Sequence, residues 1–178
     1  MQQFKDVTNY QEIVWPVEYA AGATWLKADE GEDVDVIEDL IKAATVQAED
    51  LAGQDFIPRT YDVTVENGLT CIDLEKWPYG AITHVKKKVL EAETTLALNT
   101  DYKVKQYQWG ACVELIGSIE ADSITVRYTT APNPNYLHSA KIAIKLMAAK
   151  WYDQRASAKH EWPESAEAMM LNIRIRRL

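Results

Sequence analysis

The sequence predicts an α+β fold in which helices pack around a small antiparallel β-sheet block, with a long C-terminal helix and extended terminal arms. Two observations favour this class. Apolar residues recur every three or four positions in two separate segments, which is the helical period, whereas the segment between them alternates with a period of two. A helix followed by a run of short strands and then another helix favours α+β over a parallel α/β sheet.

The first long helix is predicted between Asp33 and Gly53. Asp33 suits the N-cap, because its side chain can accept a hydrogen bond from the first turn, and Gly53 suits the end, because glycine readily adopts the left-handed conformation. A shorter helix is expected before it, at residues 22–27. The residues that set the helical period are Ile37, Leu40, Ile41, Ala44, Ala48 and Leu51.

Short strands are predicted between the two helical segments. Asn67-Gly68 is a strong hairpin signal, so residues 61–66 and 70–74 are expected to pair as neighbours. Trp77-Pro78-Tyr79-Gly80 marks a corner. The remaining strands are expected at residues 82–90, 102–107, 112–116 and 123–128.

The last long helix, expected from about Leu137 to Ala156, is apolar around most of its circumference. So little polar surface indicates that both sides are covered. A neighbouring subunit could cover one side, or the helix could lie at the centre of a monomer, and the pattern favours neither. Its narrow polar stripe contains Lys141, Lys145, Tyr152, Arg155 and, if the helix continues, Lys159.

We divide the chain into an N-terminal arm (residues 1–20), a central domain (residues 21–160) and a C-terminal arm (residues 161–178). Trp15-Pro16 interrupts any helix in the first arm, and Trp162-Pro163 separates the last. The C-terminal arm fits either a helix with an acidic start and a basic end or an extended segment.

Composition excludes several classes of function. The net charge of -8 argues against a DNA-binding protein that reads sequence, which usually has a basic face. The N-terminus lacks the pattern of a signal peptide, and no stretch approaches a membrane span. Cys71 and Cys112 lack metal-ligand spacing, so we expect reduced thiols in a cytosolic protein. Scattered histidines and the absence of a phosphate-binding glycine loop predict no catalytic site, no metal and no cofactor.

Four segments in a fixed order resemble the head-tail connector (adaptor) proteins of long-tailed double-stranded DNA phages and gene transfer agents. They are the GQDFIPRT segment from Gly53 to Thr60, the proline corner from Pro78 to Val85, the alternating strand from Ile124 to Tyr128, and the W-Y-x-x-R helix end from Trp151 to Arg155. The resemblance spans roughly residues 24–158, and the two ends of the chain depart from the usual pattern.

This resemblance implies a structural role in the neck of a virion, after assembly in the host cytoplasm. Such proteins form a ring, usually dodecameric, under the portal protein, and they extend the DNA channel towards the tail. The implied partners are other copies of the chain, the portal protein, a tail-side neck or tail-terminator protein, and DNA that passes without sequence-specific binding. No membrane is involved. The acidic net charge suits such a conduit.

Three surfaces are hypothesised from this role. The subunit interface comprises Ile37, Leu40, Ile41, Ile144, Met147, Trp151 and Tyr152. The charged stripe comprises Lys141, Lys145, Arg155 and Lys159, and it faces a neighbouring subunit, DNA phosphates or simply solvent. The portal-docking arm comprises Met169, Met170, Leu171, Arg174, Arg176 and Arg177.

Other classes of function stay open at the level of sequence. Another phage neck or tail accessory protein would share most of these features. A tail-associated hydrolase that degrades the cell wall would need a carboxylate or Cys/His constellation, and a DNA-binding protein would need a basic recognition helix.

Overall fold

The computed structural model describes residues 2–10, 13–26, 33–66, 70–108, 110–154 and 161–175, and it confirms the α+β class. The helices are α1 (Tyr19–Leu26), α2 (Val34–Ala52), α3 (Pro134–Asp153) and α4 (Glu164–Asn172). The strands are β1 (Gln2–Asp6), β2 (Thr60–Glu66), β3 (Cys71–Leu74), β4 (Tyr79–Val89), β5 (Ala92–Thr95), β6 (Tyr102–Tyr107), β7 (Gly110–Leu115) and β8 (Ser123–Thr130).

The chain divides into two compact units that interleave in sequence. The β unit comprises Met1–Ile13 and Pro58–Ala131, and the helical unit comprises Val14–Ile57 and Pro132–Leu178. Where the sequence indicated arms, the described residues form β1 near one end and α4 near the other. Each of these elements packs within a unit, because β1 pairs with β2 and α4 contributes to the helical core.

Two antiparallel sheets make up the β unit. One has the strand order β1-β2-β8-β4-β5, and the other has the order β3-β7-β6. Alternate residues of β2 and β8 are buried, with Val63 directly opposite Val126, and the smaller sheet contributes Ile72 and Val113 to the same apolar core. Period-two alternation therefore directs one face of each sheet inward.

The predicted hairpin between residues 61–66 and 70–74 is wrong. Strand β2 pairs with β1 on one side and β8 on the other, so neither of its edges is open to β3. Strand β3 instead pairs with β7 in the smaller sheet. The Asn67-Gly68 turn itself lies outside the described residues.

Helix α2 ends and packs as its sequence predicts. Gly53 adopts the left-handed conformation (φ 66°) and donates its backbone N–H to the carbonyl of Glu49. Gly22 of α1 lies so close to α2 that an added Cβ would be 2.5 Å from Cδ1 of Ile41. Asp33 occupies the N-cap position, but its side chain makes no capping hydrogen bond.

Helix α3 begins at Pro134, earlier than the expected Leu137, because the Pro-Asn-Pro segment is itself a helix start. Asn133 is the N-cap, and its side-chain oxygen accepts a hydrogen bond from the backbone N–H of Asn135 at 3.0 Å. Proline suits the first helical position, where no intrahelical N–H bond is lost. Among the described helices, none has the length and apolarity needed to cross a membrane.

Candidate functional site

The hypothesised subunit interface is largely occupied by the chain's own core. Ile37, Ile41, Ile144 and Met147 are at most 2% exposed, and Trp151 is 3% exposed. They pack together between α2 and α3, in a cluster to which α1 and α4 also contribute. The apolar circumference of α3 is thus covered within the subunit, which corrects the assignment of these five residues to a contact between subunits.

The two other residues of that set, Leu40 and Tyr152, remain half-buried. The Tyr152 hydroxyl donates a hydrogen bond to the Asp33 carboxylate at 2.8 Å. This contact joins the C-terminal turn of α3 to the start of α2. Asp33 therefore stabilises the helix pair through its partner on α3 instead of capping its own helix.

The opposite side of α2 is exposed and partly apolar. At about 100° per residue, all of its exposed residues except Asp35 fall within a sector of about 100°. Val36 and Val46 are each 43% exposed. We call this surface the α2 outer face, and its residues are Val36, Asp39, Ala43, Val46, Gln47 and Asp50.

The charged stripe is described only in part. Lys141 and Lys145 are half-buried on α3, and Arg155 and Lys159 lie outside the described residues. The ammonium group of Lys145 lies 5.7 Å from the ring centroid of Trp25, an arrangement that favours a cation–π interaction. Trp25 is 48% exposed, so this pair offers an aromatic surface to a partner.

The hypothesised portal-docking arm includes an ordered helix. Met170 is fully buried in the helical core, and Met169 packs against that core. Leu171 is 45% exposed and Arg174 is also exposed, whereas Arg176 and Arg177 lie outside the described residues. Of the described part of the arm, Leu171 and Arg174 can reach a partner without disturbing the core.

Several charged side chains on the five-stranded sheet are paired with one another. Arg127 donates two hydrogen bonds, each 2.7 Å, to the Asp62 carboxylate on the adjacent strand. The Arg127 hydrogen bond is the main cause of a lowered pKa for Asp62. Burial lowers the pKa of His84, and the charge of Arg127 lowers it further. Ion pairs of this kind are common on protein surfaces.

The tip of the β4–β5 hairpin was missed by the sequence analysis. Leu90 is 80% exposed and has a positive φ of 54°, an unusual conformation for leucine. Its backbone N–H donates to the Asp122 carboxylate, which holds the tip in place. Leu90-Glu91 lacks the asparagine or glycine that marks tight hairpin turns, so the sequence contained no clear turn signal.

The two cysteines, which are 41 positions apart in sequence, meet on the three-stranded sheet. Cys71 is exposed and Cys112 is buried. Burial raises the pKa of the Cys71 thiol to about 12, and its hydrogen bond with Cys112 contributes. Sequence spacing could not reveal this pair, because it depends on the pairing of β3 with β7.

Comparison with known proteins identifies the fold. No protein-family profile matches the chain, and none of the curated proteins matches it. A chain from the neck of the empty GTA particle, computed with C6 symmetry, aligns with a TM-score of 0.73 at 18% identity, over 99% of this chain and 97% of that one. This chain shares its fold with a chain of that neck.

Two further solved structures contain a chain with the same fold. A chain from the virion of the native gene transfer agent (GTA) particle gives a TM-score of 0.74 at 18% identity. A chain from the neck of the native GTA particle, computed with C12 symmetry, gives 0.68 at 16% identity. Both alignments again cover 99% of this chain and 97% of the other. The comparison supports, at the level of fold, the resemblance carried by the four sequence segments.

Proposed function

We propose that this chain is a structural subunit of the neck of a tailed-phage or gene transfer agent particle. The observation that carries the proposal is the alignment of 99% of the chain with chains of a GTA neck. In this role the chain forms a ring, dodecameric in the particle, under the portal protein. The ring extends the DNA channel and links the capsid to a tail-side neck or tail-terminator protein.

The ring contact in this proposal uses surface that the subunit leaves uncovered. The α2 outer face presents Val36 and Val46, and the Trp25–Lys145 pair presents an aromatic ring with a cation above it. Burial of apolar surface favours protein association, and tryptophan is enriched among the residues that contribute most to interface affinity. The proposed ring contact therefore involves outer residues of α2 and α3, together with Trp25 of α1.

The portal contact in this proposal involves the exposed end of α4. Leu171 in the last turn of α4 provides an exposed apolar group, and Arg174, two residues beyond the helix, provides an exposed cationic group. Removing all residues after Trp162 is an unsuitable test, because it would also remove Ala166 and Met170 from the helical core. Leu171→Glu with Arg174→Glu changes the surface only, and Ser165→Glu on the same helix is the matched control.

The ring contact is tested by mixing the purified chain with the portal protein of the same particle, followed by native mass spectrometry and negative-stain imaging. Val36→Glu with Val46→Glu places two carboxylates in the interface and should abolish rings. Gln47→Glu adds a charge at a polar position of the same surface and should reduce ring formation less. Thermal unfolding of the isolated variants should stay near that of the parent.

The proposal fails if neither rings nor portal complexes form under any condition with the portal protein present. Unchanged rings in the Val36→Glu, Val46→Glu variant would remove the α2 outer face from the interface while leaving the neck role intact. Particles lacking the chain should contain filled or emptied capsids without attached tails. A chain with cell-wall-degrading activity in a peptidoglycan gel would instead support the tail-accessory hydrolase and contradict a purely structural role.

A further inference from the structure

One cluster of side chains has no part in the proposed ring. In the antiparallel pair β3–β7, Asp73 lies directly opposite Cys112, and Cys71 lies two residues before Asp73. Ile72 and Leu74 point into the core, so the alternation of the strand places Cys71 and Asp73 on the outer face. The sulfur atoms of Cys71 and Cys112 and a carboxylate oxygen of Asp73 all lie within 4.8 Å of one another.

We propose that Cys71, Asp73 and Cys112 bind a thiophilic divalent cation of the zinc class. Two sulfur ligands select zinc over magnesium or calcium, which prefer oxygen ligands alone. In a tetrahedral site with Zn–S bonds of about 2.3 Å, the two sulfurs are about 3.8 Å apart. The three ligand atoms, all within 4.8 Å of one another, are close to that spacing. Each thiol transfers its proton to solvent as the cation binds, and water fills the remaining position.

Groups around the cluster suit a metal site. The Tyr107 hydroxyl lies 3.4 Å from the sulfur of Cys112, where it can donate a hydrogen bond to a bound thiolate. Lys105 lies directly opposite Cys112 on β6 and forms a 2.7 Å ion pair with Glu114. Such outer groups orient ligands. The Lys105–Glu114 pair is neutral as a whole, so it adds no net charge to the two thiolates and the Asp73 carboxylate around the cation.

A bound cation would act as a clamp on the smaller sheet. Strand β3 is four residues long, and β7 is its only paired strand among the described residues. Ligands on both strands connect β3 to the centre of the sheet. Because a cation that binds only the folded state stabilises it, zinc should raise the temperature of unfolding of the chain.

The test is titration of the full chain with Co²⁺ under a thiol-free reductant, which keeps both cysteines reduced. The expected result is one Co²⁺ per chain, with a thiolate-to-cobalt charge-transfer band and the visible bands of tetrahedral Co²⁺, all lost when Zn²⁺ is added. Cys71→Ser and Cys112→Ser should each weaken binding by roughly tenfold or more, as should Asp73→Asn. Glu75→Gln, a surface carboxylate just beyond β3, is the matched control and should bind as the parent does.

Absence of the charge-transfer band, or binding that survives both cysteine substitutions, would overturn the proposal. Alkylation of the exposed Cys71 in the folded chain provides a second measurement if Cys112→Ser does not fold, because it blocks one ligand without altering the buried residue. Bound Zn²⁺ should in turn protect Cys71 from alkylation. The outcome is independent of ring assembly, since none of these residues belongs to the α2 outer face or to α4.

Discussion

Glu49 shows how a single buried side chain fixes the segment that follows α2. Its carboxylate is nearly buried and accepts hydrogen bonds from the backbone N–H groups of Phe56 and Ile57, at 2.7 and 3.0 Å. The same residue's backbone carbonyl accepts from Gly53. The GQDFIPRT segment therefore depends on a glutamate that precedes it, and the period of α2 alone gave no reason to single that residue out.

We expect Glu49→Ala to destabilise the chain by about 3 kcal/mol, because two buried amide groups lose their acceptor. Glu49→Gln should cost about 1 kcal/mol, since its amide oxygen can still accept but carries no charge. Urea unfolding followed by circular dichroism measures both. Asp50→Ala on the exposed side of the same helix is the control. Equal losses for Glu49→Ala and Asp50→Ala would contradict this role.

The Asp62–Arg127 pair predicts a dependence of stability on pH. Because the folded state lowers the pKa of Asp62 below its usual 3.8, the pair contributes its stability above about that pH. The contribution is lost as the pH falls through the lower pKa of the folded state. Arg127 keeps 38% of its side-chain surface exposed, so solvent screening limits the effect to about 1 kcal/mol.

Asp62→Asn should therefore reduce stability at neutral pH by about 1 kcal/mol and by much less at pH values below both pKa values. Urea unfolding of parent and variant at neutral and acidic pH gives the difference. Glu93→Gln removes the more exposed Lys86 pair on the same sheet and should have a smaller effect. A difference that stays constant with pH would show that Asp62 acts through something other than its charge.

At the scale of elements, the N-cap of α3 makes a contribution to stability that can be measured with a single substitution. Asn133→Ala should cost about 1 kcal/mol, because the backbone N–H of Asn135 loses its side-chain acceptor. Asn135→Ala is the matched control, since it keeps that N–H and removes only an exposed side chain. Urea unfolding midpoints should fall for the first variant and change little for the second. A larger fall in the urea midpoint for Asn135→Ala than for Asn133→Ala would contradict the capping role of Asn133.

Helix periods and helix ends could be predicted from sequence because they depend on local residues. Gly53 and the apolar period placed α2 accurately, and residues 102–107 match β6. Strand partners could not be predicted in this way. Asn67-Gly68 is a local signal for a hairpin, but the partner of β2 is decided by β8, which lies about sixty residues further along the chain. Strand β5 has no buried residue and so no alternation to detect.

The burial of α3 also shows that a local sequence pattern cannot identify the partner of an element. Its sequence shows that most of its circumference must be buried, and the structure confirms burial, with Ile144 and Met147 fully enclosed. A pattern on one helix cannot specify which element covers it, however. Here α1, α2 and α4 of the same chain do so. A single exposed valine is common on a protein surface, so the α2 outer face could be recognised only from the fold.

At the scale of the whole molecule, the interleaving of two units explains why the sequence suggested one central domain with arms. The β unit takes its first strand from the N-terminus and the rest from residues 58–131, so its sequence is interrupted by α1 and α2. The four segments that resemble connector proteins fall in both units, which is why the resemblance extended over most of the chain.

The charge of the whole molecule leads to a last prediction, which concerns DNA. A protein that binds duplex DNA non-specifically neutralises phosphates with lysine and arginine and releases counterions, so its affinity falls steeply with salt. This chain carries 27 acidic and 19 basic residues. At an ionic strength of about 0.15 M, where charges act over about 8 Å, we expect no shift of duplex DNA of any sequence in an electrophoretic assay. Replacing Asp39 and Asp50 with lysine raises the net charge by four and should produce weak, salt-sensitive, sequence-independent binding.

A shift by the parent chain that depends on DNA sequence would contradict a conduit through which DNA slides, because base-specific contacts would hold the passing duplex in place.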